Sequence, residues 1–272
     1  MEYKNLLNIL EKEISPKEFK KSSEFYGIQY GNVSDETIIK SLMITIDLNL
    51  NVLHFAIKNK INFIVSQSPL LEKPIYKINK TLINKLNLLA QYPLNIFVLN
   101  SSFIGSEIGI SETISKILYL KTDDVIEIKD KNGKKNPLGR VCYPIHYPNH
   151  NKQLFLKDLL QRIKTHFNLQ IVQYVGELDR NLTKICIFPI ETQDNILLKK
   201  TVEYECDTLI TSNITYKQAI FAKEVGISLI SIPYYKTSFF TLKKLYNYLS
   251  LEFPNDKIFF FEQKNPIDYY LS

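Results

Sequence analysis

Short apolar strands alternate with helical stretches twice along this chain, and that alternation restricts the fold more than any other feature. In the first half, Leu42-Met43-Ile44-Thr45-Ile46-Asp47 reads as a strand ending in an acid. Val52, Leu53, Ala56 and Ile57 then have helical spacing, and Asn62-Phe63-Ile64-Val65-Ser66 reads as the next strand. A helix over about Lys80 to Gln91 and a strand at Ile96-Phe97-Val98-Leu99 complete the run. The second half repeats the order: a strand at Lys184 to Phe188, a helix from about Asp194 to Tyr204, and strands at Thr208 to Ser212 and Ile227 to Ser231 flanking a helix at Tyr216 to Glu224. Strands alternating with helices of this length require a parallel sheet covered on both faces. The expected architecture is α/β, with two similar lobes, each a largely parallel sheet covered by helices, facing across a cleft.

The expected divisions are a first lobe over 1–132, a linker over 133–151 and a second lobe over 152–272. Pro137 to Asn151 is rich in Pro, Gly and Asn, which suggests the linker, and Phe155, Leu159, Leu160, Ile163 and Phe167 form an amphipathic stripe opening the second lobe. The run Lys129-Asp130-Lys131-Asn132-Gly133-Lys134-Lys135 reads as an exposed hairpin tip or linker. At the amino end a helix is expected from Tyr3 to Glu13, and Ser15-Pro16-Lys17-Glu18 fits a capping box that starts a second, short one. Tyr26 to Gly31 reads as an extended segment between turns.

Composition narrows the function classes. The chain has 272 residues and a net charge of +6, with arginine only at 140, 162 and 180, so the excess is nearly all lysine. Those lysines are spread thinly, which argues against a nucleic-acid face. Cys142, Cys186 and Cys206 form no C-x-x-C pair, and their odd number argues against a disulfide scaffold. There is no signal-peptide-like amino end and no window of 18 apolar residues, so the expectation is a cytoplasmic protein without a membrane span. No Walker loop, nucleophile elbow or G-x-G-x-x-G is present; Gly105 and Gly109 read as turn and helix-start glycines.

Metal ligands are scarce, with four His and three Cys. His54 falls in the stripe of a helix, where a satisfied or edge-exposed histidine is the simpler reading. His146 and His150 are four apart, but Pro144 and Pro148 argue against the helix that would bring them together. His166 ends a helix, where a cation suits the dipole. Ligands in parallel sheets gather outside the carboxyl ends of the strands. Here that rule selects Asp47, Ser66-Gln67-Ser68-Pro69, Asn100-Ser101-Ser102 and Ile232-Pro233-Tyr234-Tyr235.

Several of these segments resemble the Nif-three-like family, the GTP cyclohydrolase 1 type 2 homologs. Gly27-Ile28-Gln29-Tyr30-Gly31 is similar to its G-L-Q-V-G, Ile44-Thr45-Ile46-Asp47 to V-A-L-D, and Ser66-Gln67-Ser68-Pro69 to S-H-H-P. Leu138-Gly139-Arg140-Val141 resembles L-G-R-I/V, Thr211 to Ala219 resembles T-G-D-I-K-Y-H-D-A, and Asn265-Pro266-Ile267-Asp268-Tyr269 resembles D-P-F-x-Y. The resemblance covers nearly the whole chain and implies a two-lobed α/β protomer, homohexameric assembly, and two divalent metal ions serving a metal-dependent hydrolase.

At the family's ligand positions the resemblance breaks. The histidine pair corresponds to Gln67 and Ser68, and H-T-N-L-D corresponds to Asn100-Ser101-Ser102-Phe103-Ile104. G-H-Y-x-T-E corresponds to Pro233-Tyr234-Tyr235-Lys236-Thr237-Ser238. Gln67, Ser68, Asn100, Ile104, Tyr234 and Ser238 therefore line the former ligand positions, with Asp47 as a polar remnant and no catalytic residue named. The resulting expectation is a metal-free, non-catalytic binding or assembly protein that self-associates, without a cofactor. The alternatives are a metal-dependent hydrolase of nucleotide-like substrates using non-standard ligands, and a nucleic-acid binder using a basic surface.

Overall fold

The computed structural model describes residues 1–145, 153–191 and 194–270. Two compact units divide the chain: residues 1–103 with the segment from 238 onward, and residues 104–237.

The first unit is built on a five-stranded sheet. Its order is Gly27–Tyr30, Asn95–Val98, Phe63–Ser66, Ser41–Thr45, Lys257–Phe260. The first pairing is antiparallel and the others parallel, with Met43 opposite Ile64 and Val65 opposite Phe97. Every residue of Ser41–Thr45 and Phe63–Ser66 is buried, as expected of central parallel strands covered on both faces. Met43, Ile64, Ile96 and Val98 pack with Val52, Leu53 and Ala56 of the helix Leu50–Lys58 and Leu89 of the helix Lys80–Ala90. Asn49 and Asn79 start these helices, their side chains accepting from the N–H groups of Val52 and Leu82.

The second unit contains a six-stranded sheet ordered Leu120–Lys129, Lys135–Pro144, Ile185–Phe188, Thr208–Thr211, Ser228–Ser231, Gln173–Val175. Among the described residues three of its five pairings are antiparallel, so this sheet is mixed rather than largely parallel. Its parallel heart is the expected strand triplet. The helix Tyr216–Val225 has the reciprocal cap its sequence allows: Thr215 Oγ1 accepts from Gln218 N, and Gln218 Oε1 accepts from Thr215 N. It ends at Gly226, whose φ of 72° is the left-handed turn that glycine adopts without penalty.

The segment expected as a linker, 133–151, instead supplies a central strand as far as Pro144. Leu138, Arg140, Val141 and Cys142 are buried there. The glycine that suggested flexibility is a packing residue: a Cβ on Gly139 would lie 2.3 Å from the Phe188 ring. Pro137 is accommodated beside a register shift between Ile126 and Glu127. The hairpin tip is as expected, with Asp130 Oδ1 accepting from Asn132 N and Lys134 N. His146 and His150, with the rest of that segment to 152, lie outside the described residues.

The carboxyl end also departs from expectation. Tyr234–Glu252 is a helix of 19 residues. It buries Ser238, Thr241, Leu242, Leu245 and Leu249 at helical spacing, and Pro233 precedes its first turn. Lys257–Phe260 then pairs in parallel with Ser41–Thr45, so the chain ends in the first unit's sheet. At the amino end, helix Tyr3–Ile9 continues into a π-helical turn, Leu10–Ile14. The expected capping box is absent: Lys17–Phe19 is a single 3-10 turn without a side-chain cap, and the buried Ser15 hydroxyl donates to Leu99 O instead. No helix among the described residues is long and apolar enough to cross a membrane.

Candidate functional site

The parallel strands of the first unit end together, and backbone bonds carry their ladder one step further. Gln67 N donates to Thr45 O, Ser68 N to Ile46 O, and Asn100 N to Gln67 O at 3.0 Å. Ser66 Oγ turns the chain by donating to Ser68 O at 2.7 Å. Gln67 and Asn100, two of the expected site residues, are thereby brought side by side. Gln67 is 2% exposed, and its Nε2 donates to Asn100 O at 3.0 Å. Its Oε1 is buried with no hydrogen-bond partner among the described residues.

Asn100 has a φ of 51°, a left-handed conformation that asparagine tolerates better than most residues. Its Nδ2 donates to Phe25 O at 3.1 Å. The next residues open a short helix, Asn100–Gly105, and each is fastened to the segment 16–25. Ser101 N donates to Glu24 Oε2 at 3.2 Å, Lys21 N donates to Ser101 Oγ at 3.1 Å, and Ser102 Oγ donates to Pro16 O at 2.5 Å. The Glu24 carboxylate at this helix start is paired in turn with Lys21 at 3.2 Å.

Three residues outside the expected set position this cluster. Gln29 Oε1 accepts from Leu70 N and Leu71 N while its Nε2 donates to Leu71 O, holding the loop after Ser68. Gln263, 8% exposed, performs the same task at the next strand end: its Oε1 accepts from Ile46 N and Asp47 N, and its Nε2 donates to Asp47 O. Glu24 is the third. Gln29 lies in a quoted motif; Glu24 and Gln263 carry no local signal, because their partners are distant in sequence.

Asp47 is held by its backbone while its side chain is exposed. Ser238 is fully buried on its helix, and its Oγ has no partner among the described residues. Ile104 and Tyr234 belong to the second unit, where Ile104 is 7% exposed and Tyr234 opens the long helix half-buried. His54 is exposed on its helix and His166 ends the helix Leu156–His166, edge-on to Tyr119.

These donors do not suit two divalent cations. Such a pair needs several anionic oxygens or imidazoles to offset its charge. In the first unit the candidates are amide oxygens, hydroxyls and one exposed carboxylate, and in the second a phenol and an aliphatic side chain. Among the described residues no group of three or more His, Cys, Asp and Glu side chains gathers where a metal ion could be held.

Tyr26 beside this cluster makes a pH prediction. Its hydroxyl donates to Ser15 O at 2.6 Å and its ring meets Phe97 edge-on at 5.3 Å. Burial first, then the Glu11 charge, pushes its pKa well above the usual tyrosine value. A raised folded-state pKa means the neutral phenol stabilises the fold fully below pH about 10, and that contribution is lost as pH rises through the higher folded value. Alkaline denaturation monitored by circular dichroism is expected to show a stability decline starting near pH 10. Tyr26→Phe should flatten that decline at some cost at neutral pH; an unchanged alkaline limb would refute the assignment.

The family description Duf34/NIF3 (NGG1p interacting factor 3) matches residues 1–266. A GTP cyclohydrolase 1 type 2 homolog of Clostridium acetobutylicum is 23% identical over 239 residues, covering 87% of this chain and 85% of that protein. A homolog of the same name from Methanocaldococcus jannaschii is 24% identical over 251 residues, covering 92% and 95%. Among solved structures, the Bacillus cereus protein related to NIF3 superposes with a TM-score of 0.79 at 12% identity, over 99% of both chains. Reduced HcgD from Methanocaldococcus jannaschii gives 0.77 at 22% identity, over 96% of this chain and 97% of its own. Both structures share the fold.

Proposed function

This chain belongs to the Duf34/NIF3 family, and we propose that within it the protein is a metal-free, non-catalytic member acting as a binding or assembly protein. The observation that carries this reading is that two of the former ligand positions, Gln67 and Asn100, spend their side-chain N–H groups within the chain, beside a helix start that is itself tied down. Gln67 Nε2 is spent on Asn100 O, Asn100 Nδ2 on Phe25 O, and the helix start at Ser101 on the Glu24 carboxylate. Such internal bonds make the strand ends a structural joint, where a dinuclear metal centre would need anionic or imidazole side chains free to point at the ions. Self-association, as a hexamer by family likeness, is part of this proposal.

The second reading is a metal-dependent hydrolase of nucleotide-like substrates with non-standard ligands. It is favoured by one observation: Gln67 Oε1 and Ser238 Oγ are buried without partners among the described residues, and such atoms carry a desolvation cost that a ligand could relieve. Elemental analysis of protein purified without chelator separates the readings. The first expects zinc, iron and manganese each far below one per chain; stoichiometric metal retained through gel filtration would sink it. Sedimentation analysis of the same sample tests assembly, a monomer at micromolar concentration being the adverse result.

A further inference from the structure

The second unit brings two thiols together. Cys186 lies on the buried strand Ile185–Phe188, and Cys206 stands two residues before the neighbouring strand Thr208–Thr211. Their sulfur atoms are 2.6 Å apart, and both cysteines are buried and free. A disulfide bond is about 2.05 Å long, so a small adjustment would join them.

Flanking bonds hold this approach in place. Asp207 N donates to Lys184 O at 2.9 Å, and Asp207 Oδ2 accepts from Thr183 N, Thr183 Oγ1 and Lys184 N. On the other side of Cys206, its own N–H donates to Thr201 O at the end of the helix Ile196–Glu203. The third cysteine, Cys142, lies opposite Ile185 on the adjoining strand, and its Sγ faces Thr122 Oγ1 at 3.9 Å. No third metal-ligating side chain joins the pair among the described residues.

We propose that Cys186 and Cys206 form an oxidation site, closing to an intramolecular disulfide when the protein meets a two-electron oxidant such as hydrogen peroxide. Cys206 is 5% exposed against 0% for Cys186, so it is the sulfur an oxidant reaches. Its thiolate attacks one peroxide oxygen, the O–O bond breaks, and hydroxide leaves to become water. The Cys186 sulfur then attacks the Cys206 sulfenic acid, displacing its hydroxyl as a second water and releasing the Cys186 proton to it. Two thiols and one peroxide thus give one disulfide and two waters, with two electrons passing from sulfur to oxygen. The bond with Cys206, and burial next, hold the Cys186 thiol protonated, and because the thiolate is the attacking form the second step is the slow one. The product ties two parallel strands across the helix between them.

The test uses the full chain. The native protein is treated with hydrogen peroxide, the excess removed with catalase, and the sample denatured in iodoacetamide and digested with trypsin. The expected result is a reducible species joining peptides 185–199 and 201–217, with Cys142 alkylated. A thermal midpoint about 5–10 °C above that of the dithiothreitol-treated protein should accompany it. Cys142→Ser should keep the linked species, and Cys206→Ser, checked for folding by circular dichroism, should lose it. Full alkylation of both cysteines after peroxide, or a link that requires Cys142, would overturn the proposal.

Discussion

Replacing Arg140 by methionine is expected to lower stability by about 3–5 kcal/mol, the scale seen when one partner of a buried ion pair is removed. Arg140 is 3% exposed in the central strand Lys135–Pro144. Its Nε donates to Glu112 Oε2 at 3.2 Å, its Nη2 to Gly105 O at 2.6 Å and Ser106 O at 3.0 Å, and its Nη1 to Gly139 O at 3.0 Å. Methionine fills similar space but donates nothing, leaving these acceptors short of a partner and Glu112 without its closest cation. Lysine would keep the charge but lose the planar fork that serves several acceptors together, so Arg140→Lys should recover only part of the loss. Urea denaturation with an unchanged slope is the measurement. A midpoint shift worth under about 1 kcal/mol, the usual scale for an exposed pair, would show that the cluster is not structurally important. The L-G-R-V segment would then need another explanation.

Phe188→Ala is the second large effect, expected at about 3–5 kcal/mol. Phe188 is fully buried at the carboxyl end of its strand, and its ring lies over the bare face of Gly139 on the adjacent strand. Truncation leaves a cavity against a glycine that has no side chain to fill it. The reverse substitution, Gly139→Ala, puts a methyl into the ring and should cost about 1–3 kcal/mol by overpacking. If the contact is real, the double variant should be less unstable than the sum of the two, because alanine at 139 occupies part of the space the ring vacates. Strict additivity would separate the two residues.

Both predictions concern a strand that local sequence describes badly. Pro137 and Gly139 carry the signature of a linker, yet one sits at a register shift and the other under an aromatic ring. In each case the neighbour that gives the residue its meaning, Glu127 or Phe188, is distant along the chain. The cysteines repeat the point. Their number speaks against a disulfide scaffold, while the approach of Cys186 to Cys206 depends on the pairing of two strands 20 residues apart.

At the candidate site, Gln67 and Asn100 were legible as strand-end residues, because the rule for parallel sheets depends only on where apolar runs stop. What they bond to was not. Phe25, Glu24 and Gln263 reach the site from other parts of the chain, and side-chain hydrogen bonds of this kind leave no periodic trace. Ser15 shows the same limit at closer range: its local pattern favours a cap, but a buried carbonyl at Leu99 takes its hydroxyl.

The sequence by itself determined the two sets of parallel core strands, the helices between them and the family, since runs of buried apolar residues and their helical spacing are local properties. Tertiary structure alone decided that the arms of the hairpin over 120–144 join the second sheet beside Ile185–Phe188 and that Lys257–Phe260 returns to the first. It also decided that the side-chain N–H groups of Gln67 and Asn100 are spent on the carbonyls of Asn100 and Phe25. Strand partners and buried hydrogen bonds are chosen by non-local contacts, in which each group must find a mate once water is excluded, and no short stretch of sequence contains both members of the pair.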